Sequence, residues 1–297
     1  MDPFRKLYYT LQSVANHPLN RDDKWRAARD FCVAQVASRL IPGDVCVPFP
    51  NQTRLLIPPL MKGAAHFICP GLCEFDEMSF VTHFLRPNEL FADVGANVGA
   101  FTVLASGVAK AKTICFEPNP RTFDYLTRNV WLNNLSLLVR PVNAALGRAP
   151  GRLKMTENLG TENYVCPQGN QSNGVEVEVT TLDAAFAESA PVLIKIDVEG
   201  FETEVFAGAE KTLSNPHLAA MIVEHTDMGN RYGYDEAALH RRVQAMDFIP
   251  CSYSAMERKL SKVSPNTQGN IIYVRDFDTV QERVRKASPF HFRGISI

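Results

Sequence analysis

The sequence predicts an α/β protein: a mostly parallel sheet with helices on both faces, entered through a helical and hairpin leader. Three observations predict it. Leu90-Phe-Ala-Asp-Val94 is an apolar strand that runs into Gly95-Ala-Asn-Val-Gly99 and then into a helix of small residues reaching about Lys110. From Leu90 onward apolar strands alternate with helical stretches, the rhythm of crossover units. The apolar runs end in Glu117, Asn143, Asp197 and His225, at the carboxyl edge where an open α/β sheet meets its ligands.

The totals bound the answer. With 297 residues and 45% hydrophobic content, the chain is long enough for one large domain with additions. A formal net charge of −1 gives no argument for a nucleic-acid or anionic-membrane partner, and none is expected. Arg241-Arg242 and the basic stretch 283–286 read as solvated helix faces. Seven scattered cysteines read as free thiols of a reducing compartment. Cys69 and Cys73 are close, but no second pair completes a zinc-site spacing. The first residues, Met-Asp-Pro-Phe-Arg-Lys, lack the apolar core of a signal peptide, and no run has transmembrane length. The expected location is the cytoplasm.

The leader, residues 1–85, reads as a cap. Phe4, Leu7, Tyr8 and Leu11 recur at helical spacing. Asp22 or Asp23 caps a second helix whose stripe includes Trp25, Phe31 and Val36. Val45 to Pro50 and Arg54 to Ile57 suit a hairpin, and Cys73 to Leu85 a further helix. The main domain is expected over 86–277 and a tail over 278–297.

Within the main domain the first turn is the informative one. Gly95 and Gly99 supply backbone freedom and room for a close approach. A dinucleotide fingerprint would need glycine where Asn97 stands, and Asp93 would repel a diphosphate. The same carboxylate suits a ligand with an ammonium group. S-adenosylmethionine has an ammonium, a sulfonium and no phosphate, so it fits better than NAD.

The second strand, Lys112 to Glu117, ends in an acid 24 positions beyond Asp93, close to the roughly 20 expected of a ribose-binding carboxylate. Pro118-Asn119-Pro120 then starts a helix to about Leu135, with Phe123, Leu126, Val130 and Trp131 on one side. The third strand, Leu137 to Ala145, carries Asn143, which is either a turn former or an amide facing adenine. Residues 151–181 break the rhythm: two edge strands flank a polar stretch, Thr156 to Asn163, of the kind that contacts substrates. Val192 to Ile196 is a buried strand delivering Asp197, Glu199 and Glu202 within six residues. Crowded acids need a positive or protic partner. Asp197 and Glu199 read as site residues, a general base or metal ligands, and Glu202 as a helix cap. Lys195 is placed to pair with one of them. Ala219 to His225 is the fifth strand; His225 is either structural or a base. Arg231, Tyr232 and Tyr234 hang over the site, a helix spans Asp235 to Met246, and Phe248–Tyr253 with Asn270–Arg275 close the sheet as an antiparallel pair.

Taken in order, Asp93-Val-Gly-Ala-Asn-Val-Gly99, Phe116-Glu-Pro-Asn-Pro120, Asn143-Ala-Ala-Leu-Gly147, Leu182-Asp183, Lys195-Ile-Asp-Val-Glu-Gly-Phe-Glu202 and Val223-Glu224 resemble the FkbM-type S-adenosylmethionine-dependent methyltransferases over about 90 to 275. The resemblance implies a class I (Rossmann-like) methyltransferase fold of seven strands, the last antiparallel. It implies methyl transfer, commonly to a hydroxyl of a sugar or natural product, with S-adenosylhomocysteine as product. The expected donor-binding set is Asp93, Gly95, Ala96, Asn97, Gly99, Glu117, Pro118, Asn143 and Asp197. The expected catalytic set is Asp197, Glu199 and His225. No metal ligand set is expected, although a divalent ion bridging Asp197 and the acceptor is a variant. The partner is a small-molecule, glycan or peptide acceptor, and a homodimer is compatible with the leader. Transfer to nitrogen of a peptide or amide, an NAD-linked oxidoreductase and a non-catalytic binding module are the other readings.

Overall fold

The computed structural model describes residues 3–20, 23–40, 43–58, 67, 71–156, 163–167, 174–264 and 269–297. Asp22, Cys69 and most of the polar stretch Thr156–Asn163 lie outside the described residues, as do the side chains of Phe4, Leu7 and Tyr8.

In the leader, α1 (Pro3–Asn16) and α2 (Lys24–Leu40) close over Val14, Ala27 and Phe31. Asp23 caps α2 by accepting the Arg26 N–H at 2.9 Å. Trp25 and Val36 do not join the stripe; they are exposed, because Ala27 and Phe31, one turn apart, set the buried face. The hairpin forms as expected from β1 (Val45–Pro48) and β2 (Arg54–Ile57). The third leader helix is α3 (Phe75–Phe84).

The alternation then unfolds as β3 (Leu90–Val94), α4 (Ala100–Val103, continued as a wider turn to Val108), β4 (Lys112–Phe116), α5 (Pro120–Leu132) and β5 (Val139–Val142). The expected third strand is two. After Val142 the chain leaves the main sheet, and β6 (Ala145–Leu146) pairs instead with β8 (Val175–Thr180), which also pairs with β7 (Gly151–Met155). Trp131 points to solvent although Leu126 and Val130 are buried, since one residue on a helix turns the side chain by about 100°.

After the short α6 (Leu182–Ala185) come β9 (Leu193–Ile196), α7 (Glu202–Ala207), α8 (Glu210–Ser214), β10 (Ala220–His225), α9 (Glu236–Gln244), β11 (Ile249–Ser254), β12 (Lys259–Lys262), β13 (Gly269–Val274) and α10 (Phe277–Arg285). The main sheet runs β12-β11-β13-β10-β9-β3-β4-β5, with β13 antiparallel to β10. Seven of these eight strands are the expected ones in the class I methyltransferase order. The eighth, β12, extends the edge beyond β11.

Both sheet faces are buried, so each strand divides its side chains by parity. Phe91, Leu193 and Ile222 face one cluster, which also holds α3 and the tail residues Phe290, Phe292 and Ile297. Ala92, Ile194, Met221, Val223 and Tyr273 face the other. Arg283 is not on a solvated face: its guanidinium lies 4.4 Å over the Phe84 ring and donates to the Phe84 carbonyl, stapling α10 to α3. Among the described residues no helix is long and apolar enough to cross a membrane.

Candidate active site

A cavity of about 280 Å³ opens at the carboxyl ends of β3, β4 and β9. Of the expected site residues it is lined by Gly95, Ala96, Asn97, Glu117, Pro118, Asp197 and Glu199. Its apolar walls include Phe101, Phe116, Leu146, Met155, Val165 and Phe201.

The glycine turn is shaped by its neighbour. Gly95 has φ +77°, and a Cβ there would lie 1.8 Å from the Asp197 carbonyl oxygen. The turn is therefore locked against the loop after β9, and the ligand side is a consequence of that packing. Gly95 and Ala96 donate their N–H groups to the Phe116 carbonyl at 3.0 and 2.9 Å. Glu117 completes the join: its Oε2 accepts from Asn97 N at 3.0 Å and its Oε1 from Asn119 N at 2.9 Å. Burial pushes its carboxyl up to about 7, against the pull of those two N–H groups.

Four expected residues lie elsewhere. Asp93 is fully buried beneath the turn, not on the cavity wall; its Oδ2 accepts from the Thr102 hydroxyl at 2.6 Å and its Oδ1 has no partner. Gly99 does not face the cavity but α5: a Cβ would meet Leu126 Cδ1 at 2.5 Å. Asn143 is exposed and holds the Glu117–Pro118 loop from outside, donating to the carbonyls of Glu117 at 2.8 Å and Pro118 at 3.1 Å. His225 is not at the cavity. It follows the parity of Met221 and Val223 to the opposite face, where Tyr273 Oη bridges it at 2.9 Å to His240. Burial, then His240, holds its pKa down at about 4, a structural histidine.

The same parity gathers expected residues with Glu224, to which the sequence assigned no role. Asp93 and Lys195 are direct neighbours across β3 and β9, and Lys195 and Ile222 across β9 and β10. Asp93, Lys195, Asp197 and Glu224 thus share one face at the strand ends. Glu74, at the start of α3, approaches from above and accepts from the Asn270 amide at 2.7 Å. Lys195 Nζ, 3% exposed, donates to Asp197 Oδ2 at 2.6 Å and lies 4.7 Å over the Phe101 ring. Burial works to discharge it, and the carboxyls of Asp197, Glu74 and Asp93 outweigh burial and raise its pKa. Glu202 is not the N-cap of the helix it opens, which is Phe201 without a side-chain cap bond; its carboxyl accepts instead from Val198 N and Gly200 N of the preceding loop at 3.2 Å each. Glu199 takes φ +55° in that loop.

Among the described residues the cavity lining holds five carboxyl groups, Glu74, Glu117, Asp197, Glu199 and Glu224, and one basic group, Lys195. That inventory suits a ligand with positive charge and opposes a pyrophosphate. Among the described residues no three His, Cys, Asp or Glu side chains form a metal-ligand set; the acids surround the Lys195 ammonium instead.

These carboxyls set a pH dependence. Burial holds Glu117 and Glu202 up to about 7 and raises Glu74. A raised carboxyl stabilises the fold below its unfolded pKa and loses that contribution as pH rises through the folded one. His83 and His225, held down to about 4 chiefly by burial, oppose it below about 6.5, where the unfolded histidines take protons. The ligand-free protein is expected to lose roughly 1–2 kcal/mol of stability between about pH 6.5 and pH 8. Urea melts across this range check it; stability that climbs steadily to pH 8 contradicts the assignment.

A family model, the methyltransferase FkbM domain, matches residues 93–250. The methyltransferase sdnD of Sordaria araneosa is 28% identical over 162 residues, 43% of this chain and 62% of that protein. The hexuronic acid methyltransferase AglP of Haloferax volcanii is 28% identical over 158 residues, 51% of this chain and 62% of that protein. The chain thus spans less than two thirds of the length of these relatives. The solved C-terminal domain of precorrin-6Y C5,15-methyltransferase from Rhodobacter capsulatus, covering 66% of this chain and 84% of its own, overlays with TM-score 0.38 and 14% identity, too distant to bear on this chain's chemistry. The family match begins at Asp93, takes in the glycine turn, Glu117 and the Asp197–Glu202 loop, and covers more than half of the sequence: the chain belongs to the FkbM methyltransferase family.

Proposed function

We propose that the protein transfers a methyl group from S-adenosylmethionine to a hydroxyl of a sugar or sugar-bearing natural product. The observation that carries the donor half is the charge inventory of the cavity, five carboxyls around one lysine. Glu117, held between two backbone N–H groups, is the carboxylate for the ribose hydroxyls. Ala144, Ala145, Leu146 and Pro118 offer an apolar slot beside it for the adenine. Glu74 and Asp197, which line the cavity beside Lys195, suit the positive end. Bound there, S-adenosylmethionine supplies a methyl group activated by its sulfonium.

The chain's own part is alignment, exclusion of water and proton handling. Asp197, one quarter exposed and paired with Lys195, is the carboxylate placed to take an acceptor's hydroxyl proton. Glu199, in the same loop, is the second candidate.

The acceptor half rests on a neighbouring open groove of about 800 Å³ that shares Val165 and Phe201 with the cavity. Tyr232 and Tyr234 line it, their rings 5.7 Å apart, with Arg148, Arg152 and Arg231 around them. Arg148 is held by Glu204 and Arg152 by Glu176 and Glu178, so Arg231 and the tyrosine faces are what suit an acidic sugar, the acceptor class named for AglP.

An acceptor screen tests the whole reading. Protein and S-adenosylmethionine are incubated with uronic acids, neutral glycosides, hydroxylated natural products and peptides, and products are located by tandem mass spectrometry. The expected product carries one added methyl on oxygen of a sugar ring, with acidic sugars preferred. A methyl found only on nitrogen contradicts the acceptor half.

A further inference from the structure

The cavity floor holds one carboxyl more than this chemistry requires. Glu224 ends β10 on the same face as Lys195 and Asp197, one strand away from both. Its Oε2 is sealed from solvent and receives no hydrogen bond. Its carboxyl instead meets that of Asp197, with Glu199 adding a second negative neighbour and Lys195 the nearest positive one. Across the strand pair Glu224 stands opposite Asn270, whose amide is engaged by Glu74. Beyond Lys195 lies Asp93.

Lys195 is shared by Asp197, Glu74 and Asp93, so it leaves no full counter-charge for Glu224. Two carboxylates in contact in a half-buried site cannot both remain ionised; one keeps a proton and donates it to the other. A proton on Glu224 also resolves its stranded oxygen, turning an acceptor without a donor into a donor to Asp197.

We propose that Glu224 holds a proton against Asp197, and that this proton leaves to solvent when a cationic ligand enters the cavity. Burial, followed by Asp197, raises the Glu224 pKa well above the ordinary carboxylate range, which puts the proton in place at neutral pH. A positive charge arriving beside the pair favours the doubly ionised state, and by linkage that state favours the charged ligand. The consequence is selective arming: the pair becomes a full base when the sulfonium is present, receives the acceptor's hydroxyl proton, and holds it while the neutral thioether product remains. This inference rests on the donor-site reading above.

The test is calorimetric and needs no acceptor. S-adenosylmethionine and S-adenosylhomocysteine, which differ by the sulfonium charge, are titrated into wild type near neutral pH in phosphate and in Tris, buffers of very different ionisation enthalpy. Wild type is expected to release a larger fraction of a proton with S-adenosylmethionine than with S-adenosylhomocysteine, seen as a buffer-dependent binding heat. Glu224→Gln is expected to keep binding S-adenosylhomocysteine, which reports its fold, and to lose the excess release. Equal heats in both buffers for wild type overturn the inference while leaving the donor site intact. Excess release that persists in Glu224→Gln overturns the assignment to this pair. Wild type that binds neither ligand overturns the donor-site reading itself.

Discussion

Lys195→Met is expected to lower stability by about 3–5 kcal/mol near pH 8, the cost of leaving buried carboxylates without their counter-charge. Methionine keeps the length and the contact with Phe101, so the loss isolates the ammonium. Lys195 is 3% exposed, donates to Asp197 and is faced by Glu74 and Asp93. With the ammonium gone those acids must take protons or separate. Glu74 and Asp93, already raised chiefly by burial, take them most readily as pH falls. The deficit is therefore expected to shrink between about pH 8 and pH 6, because the unfolded acids remain ionised there while the folded ones gain protons. Urea unfolding at the two pH values reads it directly. A variant as stable as wild type at pH 8 would show that the acids do not depend on Lys195.

Gly95→Ala is expected to abolish donor binding and to destabilise the protein by more than its backbone strain alone. Alanine at a left-handed φ costs about 1–2 kcal/mol. At Gly95 the added Cβ would also stand 1.8 Å from the Asp197 carbonyl oxygen, so the turn and the acid loop must part. Gly233 is the matched control: its φ is +76°, and nothing lies within 4 Å of a Cβ there. Gly233→Ala is expected to show the strain cost and to keep donor affinity. Equal losses in the two variants, by thermal melts and by titration, would mean that the contact between turn and loop is unimportant.

Much of the site was legible where the chemistry is local in sequence. The glycine turn, Glu117 and the Asp197–Glu202 loop each announce themselves within a few residues, and all reach the cavity. What escaped is what depends on strand parity and register. His225 and Glu224 are adjacent in sequence and end on opposite faces, so the residue with the more familiar chemistry is the structural one. Asp93 looked like a wall residue, yet parity with Phe91 sets it in the same buried row as Lys195. Glu74 carried no signal, because nothing in the leader's sequence says that the start of α3 reaches Asn270. Asn143 lies off the cavity and braces the loop that carries Glu117. In the fold, the split of the third strand follows from the turn at Asn143 and Ala144, and β12 is too short and polar a run to separate from a loop by pattern.

In the proposed function this cavity binds S-adenosylmethionine through Glu117. The measurement that tests it most directly is a calorimetric titration of S-adenosylhomocysteine into wild type and Glu117→Ala, after removal of any carried-over ligand. Saturable binding to wild type is expected, weakened in Glu117→Ala by about 1.5–3 kcal/mol, roughly ten- to 150-fold, as charged hydrogen bonds are lost. No saturable binding to wild type, or equal affinity in the two proteins, would contradict it.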